Sequence, residues 1–361
     1  MVSAYGRQWL PPGSQIGIQE ELDEFWSLFH NKKYERAKSK AKKIGVRSNL
    51  ISCKNNRKFG AYIDHLQKMA DFYSQKILSE TVSVYVVNFW DNFSLQNSAI
   101  KYFLSRSLGK RIIEAKSPLE ADLCLTSIFT TPQKNQHTDH LFKITYIGER
   151  VSPSFTECDL SLSMDLSDYG GKNIYCPLWL MHLIENKIQA NISLIDLVNQ
   201  INLNNQSMTT RAHRAIFVGS NDHPMRQTII NAIKDLGIET DSFGSHYRPL
   251  ENKIVASEEY TFSVCPENCW SPGYTTEKII DALIAGCIPL YWGYLDSNIF
   301  NMNRVININY SNSSRSNIAN ELAQGLSKRI SKTDSPLSSH EIKKLEDKII
   351  ESINTQLAFL L

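Results

Sequence analysis

Little in this 361-residue chain is extreme, and each shortage closes off a class. No apolar run reaches the ~18 to 20 residues that a membrane-spanning helix requires. The N-terminal stretch MVSAYGRQWLPPGSQ has no apolar core behind basic residues, so no targeting signal is visible. With 39 basic and 37 acidic side chains the formal net charge is only +2. That is too small to draw the whole surface onto nucleic acid, so any affinity for phosphate has to be local. The seven cysteines are odd in number and scattered singly, which offers no disulfide framework and suits a reducing compartment. Cys265 and Cys269 lack a second Cys or His pair that would complete a zinc set. His137 and His140 lie in the polar stretch TPQKNQHTDH, which reads as a solvated loop. Sequons at Asn92, Asn191 and Asn205 read as chance in a chain with no visible signal.

What remains is an ordinary globular composition, 42% hydrophobic and 21% charged, long enough for two domains with cores of their own. Against that background one stretch stands out, Tyr260 to Gly293. The apolar run Tyr260 to Cys265 reads as a buried strand, ending at the polar pair Glu267 and Asn268. A loop through Pro272 and Gly273 follows. Thr275 or Thr276 can then cap a helix whose apolar stripe is Ile279, Ile280, Leu283 and Ile284. Gly286 ends that helix, and Cys287 to Trp292 reads as a second buried strand.

In such a β-loop-α-β unit, Glu267, Asn268, Tyr274, Glu277 and Lys278 gather at one end, beside free helix N–H groups. That end attracts an anion such as a phosphate. Lys278 adds a full charge; Glu277 would repel phosphate and suits sugar or ribose hydroxyls instead. The plainer reading is that Glu277 complements the helix dipole and Lys278 is a solvated charge. Tyr291 and Trp292, at the end of the second strand, read as packing.

The segments CPEN and GYTTEKIIDALIAGCIPLYWG closely resemble the signature of the α1,3/4-fucosyltransferases, roughly F-E-N, then G-Y-V-T-E-K, then G-x-I-P-I-Y-W-G. Pro266 stands in place of the family's usual Phe and Thr275 in place of its Val. Tyr146-Ile147-Gly148-Glu149 with Pro153 and Phe155 is similar to the family's Y-x-G-E block. Phe217 to Asn221 with Met225-Arg226 is similar to its S-N-x-x-x-x-R block. The blocks keep the family's order, and the resemblance covers roughly residues 82 to 310.

The resemblance implies an α/β protein of GT-B architecture, two Rossmann-like domains facing across a cleft. Four segments are expected: a helical extension over 1–80, an acceptor-side domain over 81–205, a donor domain over 206–312 and C-terminal helices over 313–361. Alternating strands and helices from Val82 onward agree with a parallel sheet. The basic stretch KKYERAKSKAKK reads as a solvated helix face, with an anionic membrane or acidic partner as the sharper alternative. The polar helix-like segment near Asn191 to Ser207 is expected to join the halves, and Asn307 to Asn317 reads as a loop. Ile342, Leu345, Ile349, Ile350, Ile353 and Leu357 form a helical stripe expected to be core.

By the same resemblance the donor is GDP-β-L-fucose and the product an inverted α-fucoside on a glycan. An α1,3 linkage to N-acetylglucosamine or glucose of a surface polysaccharide or lipopolysaccharide is expected. One displacement needs one base, and Glu149 matches the family's proposed base. Arg226, Lys278, Asn268, Tyr274, Ser220, Asn221, Glu277 and Glu267 are expected around the donor, with Arg226 and Lys278 gripping the diphosphate. Glu267 either orients Lys278 or touches the sugar. No Asp-x-Asp motif is present, so no metal or cofactor is expected to be required, although stimulation by a divalent ion stays compatible. A cytoplasmic enzyme, or one at the inner membrane face, is expected. The alternatives are a transferase using another nucleotide sugar and a silent binding or scaffold protein.

Overall fold

Short apolar runs alternate with amphipathic helices along most of the chain, and that alternation builds two sheets. The computed structural model describes residues 15–30, 33–50, 63–64, 66–68, 70–71, 80–129, 138, 141–204, 211–219, 224–244, 247–309, 314–327 and 334–358. His137, His140, the sequon at Asn205, and Ser220 and Asn221 lie outside them. The packing divides the chain into two units, one of residues 1–93, 108–144 and 358–361, the other of 94–107 and 145–357. Among the described residues no helix is long and apolar enough to cross a membrane.

The first unit opens with helices α1 (Gln15–His30) and α2 (Tyr34–Leu50). Leu22, Phe25, Trp26 and Phe29 repeat at helical spacing, and this stripe packs with Ala37, Ala41 and Ile44 of α2. Phe25 meets Trp26 edge-on, with ring centroids 5.2 Å apart. The basic face of α2 is charge-balanced in part: Lys40 lies 3.8 Å from Glu21, and Lys38 pairs with Asp71. Strands β1 (Thr81–Val87), β2 (Arg111–Glu114), β3 (Leu123–Ser127) and β4 (Phe142–Ile147) follow in the order β2-β1-β3-β4. Ala121, Cys124 and Leu141 join the core of the helices, so this N-terminal region shares its interior with the sheet.

β4 passes into the second unit at Thr145, where β5 (Leu160–Ser163) and β6 (Asn173–Tyr175) come next in order. Helices α3 (Ala99–Leu108), α4 (Leu178–Ala190) and α5 (Leu194–Asn204) accompany them. A second sheet then forms from β7 (Ala212–Val218), β8 (Thr240–Phe243), β9 (Tyr260–Pro266), β10 (Ile288–Trp292) and β11 (Ile306–Asn307). Its order is β11-β10-β9-β7-β8, and every pairing is parallel. Helices α6 (Pro224–Asp235), α7 (Lys253–Ser257), α8 (Glu277–Ile284), α9 (Arg315–Ser327) and α10 (Ser339–Gln356) complete the unit. Ile229, Ile230 and Ile233 of α6 and Ile318 and Leu322 of α9 cover Phe217, Val264 and Leu290 of the sheet.

Several expectations change here. Ile306–Asn307 is a strand and Arg315–Asn317 begins a helix, so both ends of the expected 307–317 loop change, and residues 310–313 lie outside the described residues. Helices α4 and α7 had no sequence expectation, while α9 and α10 fall within the C-terminal helices expected over 313–361. The stripe of α10 is core, with Ile342, Ile349, Ile353 and Leu357 buried. That helix also buries Glu346, which accepts from the Tyr102 hydroxyl at 2.6 Å and lies 3.7 Å from Lys187. The Lys187 ammonium stands 3.6 Å over the Tyr102 ring. This cluster ties α3, α4 and α10 together.

Candidate active site

The order of the second sheet reverses between β7 and β9: from β7 the chain steps outward to β8, then returns to β9 on the other side. At such a switch point the loops leaving the two strands diverge and open a crevice beyond their carboxyl ends. β7 leads into α6, whose first turn carries Arg226; β9 leads into Glu267 and Asn268. Arg226 is only 4% exposed and donates from Nη2 to Asn268 Oδ1 at 2.5 Å. The two sides of the switch point are therefore tied by a charge-assisted hydrogen bond.

Glu267 is fully buried and organises the next turn. Its Oε1 accepts from the Thr276 backbone N–H at 2.8 Å and from the Tyr291 hydroxyl at 2.9 Å, and its Oε2 accepts from the Thr276 hydroxyl at 2.7 Å. Thr276 is the N-cap of α8, but its side chain makes no capping bond, because Glu267 has taken it. The first-turn N–H groups are left uncapped by that side chain and keep their affinity for an anion. Lys278 donates to Thr276 Oγ1 at 3.0 Å and lies 3.3 Å from Glu267 and 3.6 Å from Glu277. Of its two expected roles, Glu267 thus sits in place to orient Lys278. Tyr291, expected as packing, also closes this network. Burial, and then the charge of Glu267, pushes its hydroxyl pKa well above the ordinary value.

Gly286 takes φ +72° where α8 stops, and Cys287 N–H reaches back to the Ala282 carbonyl at 2.8 Å. Burial pushes the Glu277 carboxyl upward, yet Lys278 and then Lys253 outweigh it and leave it below the ordinary value. Glu277 is held ionised, which strengthens the hydrogen bonds that it can accept from hydroxyls.

Glu149 follows β4 by two residues and lines a cavity of about 550 Å³ with Arg150, Asp165, Leu166 and Tyr274. Tyr274 is buried and donates its hydroxyl to Glu149 Oε2 at 3.1 Å, so its oxygen faces Glu149 and not Asn268. Burial and the Glu149 charge raise its pKa far above the usual tyrosine value, which keeps it a donor. The loop that delivers Tyr274 is pinned at Gly273, whose φ is +82°. A Cβ there would stand 2.3 Å from the Met164 carbonyl oxygen, and the Gly273 carbonyl accepts from the Tyr175 hydroxyl at 3.2 Å. Only glycine fits both the left-handed conformation and the contact.

The site residues expected from sequence thus fall into two groups joined through the loop 268–276. Arg226 and Asn268 meet, and Glu267, Glu277 and Lys278 surround the start of α8. Glu149 and Tyr274 form the second group. Sequence reading missed Asp281, His182 and Lys253. Asp281 interrupts the apolar run of α8 one turn after Glu277, a signal that was there to be read. Its partners come from distant segments and leave no local pattern.

The family model for the α-(1,3)-fucosyltransferase FucT N-terminal domain matches residues 84–182, which include Glu149. The α-(1,3)-fucosyltransferase FucT of Helicobacter pylori is 27% identical over 245 residues, 59% of this chain and 50% of that protein. The chain is thus similar, in sequence, to fucosyltransferases. A fucosyltransferase-like protein of Arabidopsis thaliana is 32% identical over 92 residues, 24% of this chain and 18% of that protein. The chain thus spans half or less of the length of these fucosyltransferase relatives. A crystal structure of α1,3-fucosyltransferase with GDP-fucose is 22% identical, with a TM-score of 0.55, over 76% of this chain and 91% of that one. The corresponding structure with GDP has a TM-score of 0.56 at 22% identity, over 75% and 90%. At that identity the likeness establishes the fold: two parallel sheets with flanking helices, of the GT-B type.

Proposed function

We propose that this chain transfers L-fucose from GDP-β-L-fucose to a glycan hydroxyl with inversion at the anomeric carbon. The observation that carries the reading is the Tyr274–Glu149 hydrogen bond, which joins a candidate base to the anion-binding start of α8 through two residues of chain. In a single displacement the acceptor oxygen bonds to the anomeric carbon, the bond from that carbon to the phosphate oxygen breaks, and GDP departs. The acceptor proton passes to Glu149. Arg226, Lys278 and the α8 N–H groups neutralise the diphosphate as its charge grows. Glu277 accepts from ribose or fucose hydroxyls, and the cavity beside Glu149 receives the acceptor, an N-acetylglucosamine or glucose of a surface glycan joined through an α1,3 linkage. A transferase of the same fold using another nucleotide sugar is the second reading, since Glu277 would read whichever hydroxyls that donor presents.

The deciding experiment incubates the protein with GDP-fucose and an array of N-acetylglucosamine-, glucose- and galactose-containing glycans, with products read by mass and linkage analysis. Transfer from a different nucleotide sugar, and none from GDP-fucose, overturns the donor assignment. Arg226→Ala and Lys278→Ala are each expected to weaken GDP binding by about 1.5 to 3 kcal/mol, the scale of a charge-assisted hydrogen bond. Calorimetry on folded protein checks this; parental affinity in either variant would make that residue a structural cation only.

Transfer is also expected to survive EDTA, because two side-chain cations and a helix terminus occupy the role that a Lewis acid plays elsewhere. Moderate stimulation by manganese fits this reading, since the ion binds released GDP. Complete loss in chelator, restored by a stoichiometric divalent cation, would contradict it.

A further inference from the structure

Asp281 lies one helical turn after Glu277, so both carboxylates share a face of α8. Two such charges repel, and in a partly buried setting water screens the repulsion poorly. The structure answers with a cation source on each oxygen of Asp281. His182 Nε2 of α4 is 2.8 Å from Oδ1, and Lys253 Nζ of α7 is 2.8 Å from Oδ2. Asp281 is 8% exposed, so this is an interior junction of three helices. Lys253 is set by its own cap: Asn252 Oδ1 accepts from Ile254 N at 3.0 Å and Val255 N at 3.1 Å, fixing the turn that carries the lysine.

We propose that His182, Asp281 and Lys253 form a positioning cluster that keeps Glu277 ionised and oriented for the donor's hydroxyls, and that His182 couples donor affinity to its own charge. The inference rests on the assignment of Glu277 to the donor. Removing positive charge from the cluster leaves two carboxylates one turn apart with less to balance them. Glu277 then turns away from Asp281, and the hydrogen bonds that it accepts from the donor's hydroxyls weaken.

The charges facing His182 set the sign. Burial pushes its pKa down, but the hydrogen bond and charge of Asp281, then Glu277 of the same helix and Glu185 of α4, raise it above the ordinary histidine value. Lys253, across the shared carboxylate, is the cation opposing that rise. Burial likewise pushes the Asp281 carboxyl up, and His182 and Lys253 more than reverse it, so Asp281 stays ionised. A raised histidine pKa means that the ion pair is complete below the ordinary value and is lost as pH rises through the shifted one. Donor binding should weaken in that direction.

The test measures GDP-fucose affinity and the kcat and KM of transfer for the full chain from about pH 6 to about pH 8.5, a window that brackets a histidine titration. The parent is expected to lose about tenfold in donor affinity across it, as KM and not kcat, while His182→Gln, uncharged throughout, is pH-flat. Lys253→Met should raise the donor Kd about tenfold, and Lys253→Arg, which restores the charge, should recover most of it. Should His182→Gln keep the parental pH dependence, or Lys253→Met bind as the parent does, the cluster has no role in donor binding, while the donor assignment stands. A parent that does not bind GDP-fucose at any pH sinks the donor assignment and this inference with it. Thermal melts of all three variants separate loss of fold from loss of positioning.

Discussion

Glu149→Gln is expected to bind GDP as the parent does and to transfer about 100-fold more slowly or worse, the scale of a lost general base. The substitution is close to isosteric, and its amide oxygen can still accept from the Tyr274 hydroxyl, which now donates to Glu149 at 3.1 Å. The loop carrying Tyr274 therefore keeps its anchor, which Gly273 and Tyr175 also hold from the other side. What disappears is the capacity to take the acceptor's proton. GDP affinity by calorimetry and initial rates of transfer, taken on the same preparation, check the two halves together. Unchanged turnover would remove Glu149 from the mechanism. A parallel fall in GDP affinity would instead mean that the residue shapes the donor loop through Tyr274.

The largest effect on stability is expected from Glu267→Ala. Its carboxylate is fully buried, satisfies three donors, and lies 3.3 Å from the Lys278 ammonium. Truncation leaves the Thr276 N–H and hydroxyl, the Tyr291 hydroxyl and a lysine short of their acceptor. Breaking a buried charged network of this kind costs about 3 to 5 kcal/mol. Urea denaturation should show that loss, and GDP binding should fall with it, because the start of α8 is built on Thr276 and Lys278. A denaturation midpoint and GDP affinity matching the parent would reduce Glu267 to a passive occupant of the core.

Much of the site's chemistry was legible before its geometry. The unit β9–α8–β10 could be read because each piece carries a local signature. Tyr260 to Cys265 is a continuous apolar run, Ile279 to Ile284 repeats at helical spacing, and Gly286 adopts the left-handed conformation that stops a helix. Helix α4 was not legible. In α4 the apolar residues Trp179, Leu180, Met181, Leu183 and Ile184 form a nearly unbroken run, which blurs the helical period. Helix α9 was expected within the C-terminal helices, but its start was blurred: only Ile318 and Leu322 are buried in it, and its Asn and Ser residues favour a loop reading as far as Asn317.

The roles of individual acids divide the same way. That Glu267, Glu277 and Glu149 are carboxylates near strand or helix ends follows from spacing alone. That Glu267 is wholly interior while Glu277 keeps some access to solvent was decided by the Tyr291 hydroxyl, 24 positions along the chain, which closes the network from the next strand. The pairing of Tyr274 with Glu149 spans 125 positions and that of His182 with Asp281 spans 99.

By itself the sequence determined which segments form strands and helices in the β9–α8–β10 unit and which chemical groups lie at their ends, because periodicity and capping act over a few residues. The tertiary structure alone decided which acid meets which donor or cation. Those contacts depend on strand order, on the reversal between β7 and β9, and on the packing of α4 and α7 against α8. None of these leaves a mark in the local pattern of residues, and burial then sets the strength of each charge that they bring together.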